Sequence, residues 1–265
     1  MPRFNVLGVA MSRLTMREAT DAVLDALQTR RKGYVCVTGV HGVSEAQRDS
    51  GFRRILNRAF LNTTDGMPLV WVGRWLGGTA IERVYGPDLM LAVLRATSDG
   101  RFTHFFYGGA PGVADDLKQR LEEQVPGVRI VGTYCPPFRP LNPAEQAELT
   151  AQVSALQPSI IWVGLSTPKQ ERFMSEYLER LDTTLMFGVG AAFDFHSGRV
   201  RQAPSWIQRA GLEWLFRMCC EPRRLARRYL TNNPIFVWKI TGQLLGLRHY
   251  PTEFPNAVGL DSPAP

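Results

Sequence analysis

Short apolar runs alternate with amphipathic helical stretches along most of this chain, and that alternation constrains its fold more than any other feature. "YVCVTGV", "FTHFFYGG", "VRIVGTYC", "SIIWVGLS" and "TLMFGVG" are brief and bounded by Gly, Pro or charge. Between the later ones lie "GVADDLKQRLEEQV", "NPAEQAELTAQVSALQ" and "PKQERFMSEYLERL", each apolar on one side at helical spacing. Continuous short apolar runs suit strands buried on both faces, and parallel neighbours need a helical crossover. The expected class is α/β: a mostly parallel sheet with helices on both faces.

The first third follows the same logic. "FNVLGVAMSRL" reads as a strand, and "TMREATDAVLDALQ" as a helix with Thr15 and Glu18 in capping-box spacing. "SEAQRDSGFRRILNRA" reads as one amphipathic helix opened by Ser44. "FLNTTD" is a short strand, and "GPDLMLAVLRATS" a helix after a Gly-Pro start. Past Gly190 no strand candidate remains, and the composition turns to arginine and tryptophan. Three segments are therefore expected: a catalytic core over 1–200, a helical appendage over 201–250, and a mobile Pro-containing tail over 251–265.

Charge narrows the partners. The formal net charge is +7, and from Arg199 to Arg228 eight arginines face two glutamates, Glu213 and Glu221. Such a segment favours an anion: nucleic acid, anionic lipid or a phosphorylated substrate. Of the four cysteines, Cys219 and Cys220 are adjacent, and no Cys-x-x-Cys spacing occurs. Neither a zinc site nor a disulfide framework is indicated, which points to a reducing, cytosolic compartment. "MPRFNVLGVAMSRL" lacks the apolar core of a signal peptide. "PIFVWKITGQLLGL", broken by Lys239 and Gln243, is shorter than the roughly 20 apolar residues of a spanning helix.

In open parallel sheets, ligands bind beyond the carboxyl ends of the strands. "TGVHG", "TTDGM", "YGGAPG", "GLSTPKQE" and "GVGAAFDFHSG" all fall there. Gly108 and Gly109 in "YGGAPG" either bring backbone amides to a diphosphate or serve a tight turn sterically. "GVGAAF" lacks the last small residue of a dinucleotide fingerprint, and no ribose-binding acid follows it. No Walker motif is present, nor an Asp-x-Asp pair to hold a divalent cation on a diphosphate. No metal site and no cofactor are expected, so cationic side chains must stabilise a departing diphosphate. Asp65, in "TTDGM", is either a turn residue before glycine or a base that accepts a hydroxyl proton. Asp88, in "YGPDLM", suits the first turn of a helix. Asp194 either binds a sugar hydroxyl or holds its loop, and His41 and His196 read as supporting residues.

Taken together, "TTDGMPLVW", "RVYGPDLM", "VGLSTPKQERF", "GVGAAFDFHSGRVRQAP" and "GLEWLFRMCCEPRRLARRYL" resemble the ordered motifs of the WecG/TagA/CpsF glycosyltransferases over roughly residues 4 to 240. That resemblance implies a Rossmann-like core and a bacterial, metal-independent, inverting transferase that uses a UDP-sugar. Its acceptor would be a sugar on a polyprenyl diphosphate, at the cytoplasmic face of the plasma membrane. The products would feed exopolysaccharide, capsule or teichoic-acid-type synthesis. By position, Asp65 matches the general base, Thr38 a residue near the reacting sugar, and Gln170 a sugar contact. Arg217, Arg223 and Arg224 match the arginines expected to approach the diphosphate. Many members carry Asn two residues after the threonine, whereas Val40 stands here with His41 next, which shifts a sugar contact onto His41.

"SWIQRAGLEWLFRM" spaces Trp206, Ala210, Trp214 and Met218 along one helical stripe, with Arg209, Glu213 and Arg217 on another. A continuous helix of this kind suits either a membrane interface or a packed core. The rival functions are an NAD(P)-dependent enzyme and a basic nucleic-acid-binding protein; the Trp-Leu-Arg mixture argues against the second. Homo-oligomerisation is left open.

Overall fold

The computed structural model describes residues 1–77, 80–252 and 257–258. The chain forms two compact units, one of Met1–Met16, Val37–Tyr85 and Gln202–Pro265, the other of Arg17–Cys36 and Gly86–Arg201. The class is α/β, as expected. Its main sheet has six strands: β3 (Gly33–Thr38), β4 (Leu61–Thr64), β5 (Thr103–Gly108), β6 (Arg129–Tyr134), β7 (Ile160–Gly164) and β8 (Leu185–Gly188). They run in the order β4-β3-β8-β7-β5-β6. The pairs β3–β8, β8–β7, β7–β5 and β5–β6 are all parallel.

In the second unit α5 (Gly86–Ala96), α6 (Val113–Gln124), α7 (Pro143–Leu156) and α8 (Lys169–Tyr177) lie between successive strands, and α9 (Ala192–His196) follows the last of them, β8. Asn142 and Glu145 close a capping box on α7, which fixes where that helix begins. Trp162 is fully buried and packs on Phe187 at 4.5 Å. Its indole N–H donates to Nδ1 of His104 at 3.1 Å, and Nε2 of His104 lies 3.0 Å from the Thr97 hydroxyl. Since Nδ1 accepts, the ring proton sits on Nε2 and is donated to Thr97, whose hydroxyl passes its own proton to the Val93 carbonyl. Burial lowers the pKa of His104 to about 3, so the ring is a neutral link in the core.

The first unit opens differently from expectation. "FNVLGVAMSRL" is not one strand but a hairpin, β1 (Arg3–Val6) and β2 (Val9–Ser12), paired antiparallel. Leu7 and Gly8 both have positive φ, 52° and 83°, the signature of a two-residue type I′ turn. The alternation of apolar residues runs unbroken through such a turn, so periodicity alone hides it. A separate three-stranded sheet has the order β2-β1-β9, with β9 (Ala257–Val258) parallel to β1. The rest of the tail expected to be mobile beyond Thr252 lies outside the described residues.

"SEAQRDSGFRRILNRA" is two helices, α2 (Val40–Ala46) and α3 (Ser50–Arg58). Asp49 accepts from the Phe52 N–H and caps the second, so the helix start is Asp49, not Ser44. "SWIQRAGLEWLFRM" is likewise broken, into α10 (Ser205–Arg209) and α11 (Glu213–Cys220). Gly211, at φ 73°, makes the break in the left-handed region. The single stripe expected from Trp206 to Met218 therefore does not exist.

The chain then continues into α12 (Pro222–Leu244), which absorbs Pro234 in its interior. Gln243, near its end, clamps the hairpin: its Oε1 accepts from Leu7 N–H at 2.7 Å and its Nε2 donates to the Asn5 carbonyl at 2.8 Å. Leu230, Val237 and Trp238 of α12 are exposed. A groove of about 840 Å3 lies beside them, lined among others by Trp214, Tyr229, Val237, Trp238 and Leu245. No helix among the described residues is long and apolar enough to cross a membrane.

The buried His104 gives a pH dependence. The unfolded chain protonates it near 6.5 while the folded chain holds it neutral down to about 3. Unfolding in that window takes up a proton, so stability is full above pH 6.5 and falls on acidification, by about 1.4 kcal/mol per unit from this group. Urea titrations at pH 7, 6 and 5 are expected to show a shallower decline for His104→Gln than for the wild type. Equal slopes would contradict the assignment.

Candidate active site

Asp65 is the first residue past β4, and Gly66 then starts α4 (Met67–Trp75) with Pro68 in its first turn. The position is set from both sides. Its N–H donates to the Thr38 carbonyl at 3.0 Å, and its own carbonyl accepts from Arg83 Nε at 2.8 Å. Its Oδ2 stands over Gly39, where a Cβ would be 3.5 Å away. The backbone of Asp65 is thus tied into the turn, and its carboxylate lies beside Gly39.

Arg83 is the hub of this unit's polar network. Beyond Asp65 it donates through Nη1 to Gln208 Oε1 at 2.8 Å, and through Nη2 it pairs with Glu213 Oε2. Tyr85 donates its hydroxyl to the other Glu213 oxygen at 2.7 Å. The Arg83 and Glu213 side chains are only 14% and 13% exposed. Here the geometry makes a charge pair whose remaining lone pairs are also used. Burial raises the Tyr85 pKa, and the negative charges of Glu213 and Asp65 raise it further, so Tyr85 stays a neutral donor.

Arg217 lies one turn after Glu213 on α11. Burial disfavours its cation, but Tyr229, Tyr85, Asp65 and Glu213 more than offset this, and its pKa rises. Arg217 shares its electrostatic surroundings with Asp65. Arg223 is exposed, and the side chain of Arg224 lies outside the described residues.

Thr38 and His41 face protein partners. The buried Thr38 hydroxyl donates to Asn62 Oδ1 at 2.6 Å. His41 Nδ1 lies 3.2 Å from Asn232 Nδ2 on α12 and 3.8 Å from Glu45.

The remaining residues belong to the other unit. Gly108 and Gly109 have positive φ, and a Cβ on Gly108 would come 2.7 Å from the Gly164 carbonyl. The Gly109 N–H donates to that carbonyl at 3.0 Å, so this pair of glycines meets the steric need of adjacent strand ends. Asp194, on α9, is half-buried, and its carbonyl accepts from the Arg199 and Val200 N–H groups. His196 bonds the Pro87 carbonyl at 3.0 Å. Gln170 is buried at the start of α8, and its Nε2 donates to Glu171 Oε1 at 3.0 Å. Thr167 Oγ1 donates to that same oxygen at 2.8 Å. Burial raises the Glu171 pKa. Among the described residues, no group of three or more His, Cys, Asp or Glu side chains is placed to hold a metal ion.

Arg83, Tyr85, Glu213 and Glu171 were not singled out from sequence. Arg83 and Tyr85 stand in "RVYGPDLM" beside the more conspicuous Asp88, and Glu213 is one acid among arginines.

A carboxylate at a strand end of a parallel α/β sheet, in the field of a buried cation, is suited to acid–base chemistry beside negative charge. The chain belongs to the WecG/TagA/CpsF family of glycosyl transferases, whose family model matches residues 4–250, and it is a glycosyltransferase. A relative from Bacillus spizizenii (strain W23), named N-acetylglucosaminyldiphosphoundecaprenol N-acetyl-beta-D-mannosaminyltransferase, is 30% identical over 199 residues. The match covers 75% of this chain and 76% of that protein.

Removing Glu213 tests the network. Glu213→Ala leaves Arg83 charged and Tyr85 without its acceptor, which is expected to cost about 2–3 kcal/mol, below the range for fully buried pairs. Arg83→Met/Glu213→Leu, which removes both charges, is expected to be less destabilised than Glu213→Ala in thermal unfolding. The opposite ranking would show that the pair itself is not what matters.

Proposed function

We propose that the chain transfers an N-acetylhexosaminyl group from a UDP-sugar to a sugar carried on a polyprenyl diphosphate, with inversion. The relative's printed acceptor, N-acetylglucosaminyldiphosphoundecaprenol, supports the acceptor class. The observation that carries the mechanism is Asp65 at the end of β4 with Arg217 in its field. In a single displacement, Asp65 takes the proton of the acceptor hydroxyl as that oxygen forms its bond to the donor's anomeric carbon. The bond from that carbon to the UDP oxygen breaks, and the electron pair leaves with UDP. Cationic side chains balance the charge that develops on the leaving diphosphate, and Arg217 is the strongest candidate. Thr38, His41 and Asp194 remain candidates for sugar contacts, and Arg223 and Arg224 for diphosphate contacts. Metal independence, and a role in exopolysaccharide, capsule or teichoic-acid-type synthesis, belong to the same reading.

Association with the cytoplasmic face of the plasma membrane is part of this proposal. It is supported by the apolar groove and the exposed Trp238, Val237 and Leu230 of α12, in a segment with a strong excess of arginine. Tryptophan with arginine suits the headgroup region better than a nucleic-acid track.

A panel of UDP-sugars offered with polyprenyl-diphosphate-linked N-acetylglucosamine, with chelator present, tests the reading. Transfer from one UDP-N-acetylhexosamine is expected. Asp65→Asn is expected to keep UDP binding while turnover falls roughly 100-fold or more. Unchanged turnover would remove Asp65 as the base, and a requirement for added divalent cation would overturn metal independence.

A further inference from the structure

Gln170 and Glu171 hold two buried oxygens that meet no partner among the described residues: Oε1 of Gln170 and Oε2 of Glu171. The other two side-chain polar atoms of the pair form a closed arrangement with the Thr167 hydroxyl. Oε1 of Glu171 accepts from both the Thr167 hydroxyl and the Gln170 amide N–H. An amide has a donor end and an acceptor end, and only its donor end can meet that carboxyl oxygen. The carboxyl group therefore fixes which way the Gln170 amide points, with its carbonyl oxygen turned the other way.

That oxygen is buried beside two glycines, Gly188 and Gly190. A Cβ on Gly190 would stand 3.4 Å from Gln170 Oε1, and Gly190 lies at φ 52°, where side chains are disfavoured. A Cβ on Gly188 would come 3.0 Å from Gln170 Nε2 and 2.7 Å from the Met174 methyl group, displacing the amide. Two glycines at the end of β8 thus leave room for the oriented amide, which a side chain at either position would crowd. Burying an acceptor without a donor costs on the order of 1–3 kcal/mol, a cost that a bound O–H or N–H removes.

We infer that Glu171 is a positioning residue that holds the Gln170 carbonyl oxygen ready to accept from a hydroxyl or amide N–H of a bound sugar. This rests on the transferase reading above. It also sharpens that reading: a phosphate oxygen has no proton to give and gains nothing at this acceptor. Gln170 therefore reads the sugar and not the diphosphate.

Three variants test it, read by KM for the UDP-sugar and for the lipid-linked acceptor, by Kd for UDP alone, and by thermal unfolding. Glu171→Gln keeps an oxygen for both donors and is expected to stay within about twofold of wild type. Glu171→Met frees the amide to turn and is expected to raise one of the two KM values about tenfold, with the Kd for UDP unchanged. Thr167→Val loosens the tie without emptying the cavity, and a smaller rise in the same KM is expected should Glu171→Met not fold. The inference is overturned if folded Glu171→Met lowers only the melting temperature, as loss of a buried packing group would. It is overturned equally if Glu171→Gln loses as much as Glu171→Met, or if the Kd for UDP rises in step. Wild-type protein that uses no UDP-sugar overturns the transferase reading itself, and this inference with it.

Discussion

The Glu213 carboxylate, shared between Arg83 and Tyr85, is the interaction on which the Asp65 side of the site depends. One of its oxygens neutralises a guanidinium that also holds the Asp65 carbonyl; the other keeps a buried phenol satisfied. Without the carboxylate, the low-dielectric surroundings would hold an uncompensated cation and an orphaned hydroxyl, each of them expensive. With it, α11 is fixed relative to the turn after β4, and Arg217, one turn further along α11, is carried into the field of Asp65. Glu213, Asp65 and Arg217 are held together by one buried pair within one compact unit.

Buried polar groups do comparable work elsewhere in that unit. Asn57 accepts from the Ala10 N–H and donates to the Gly8 carbonyl, and Asn62 receives the Thr38 hydroxyl while donating to the Ala10 carbonyl. These side chains tie the hairpin to the strand ends that carry Thr38 and Asp65. Each is nearly fully buried, so its bonds are obligatory rather than optional. The second unit shows the same economy in the Thr97–His104–Trp162 chain and in the Thr167–Gln170–Glu171 group.

Much of the sheet was readable because burial on both faces leaves a direct imprint: "SIIWVGLS" and "TLMFGVG" have almost no alternative to a central strand. The place of Asp65 just past such a strand was readable in the same way. What escaped depends on backbone sign or on distant partners. Leu7–Gly8 turns the chain within an apolar run, and Gly211 breaks a helix whose periodicity continues across it. Ser44 lies inside α2 with its hydroxyl on the Val40 carbonyl, while the Asp49 carboxylate caps the next helix at the Phe52 N–H. Glu213 meets Arg83 from 130 positions away, and no local pattern announces that meeting. Glu171 was hidden behind its neighbour: the motif drew attention to Gln170, while the residue that orients it looks like an ordinary surface acid.

The central claim is that Glu213 serves the reaction through Asp65. Turnover of Asp65→Asn, Glu213→Leu and the double variant, measured with the same donor and acceptor, tests it most directly. If Glu213 acts through Asp65, with Arg217 beside it, its loss is expected to slow wild type strongly and Asp65→Asn by clearly less, since groups that act as a unit are non-additive. A double variant as slow as the product of the two single losses would contradict the account.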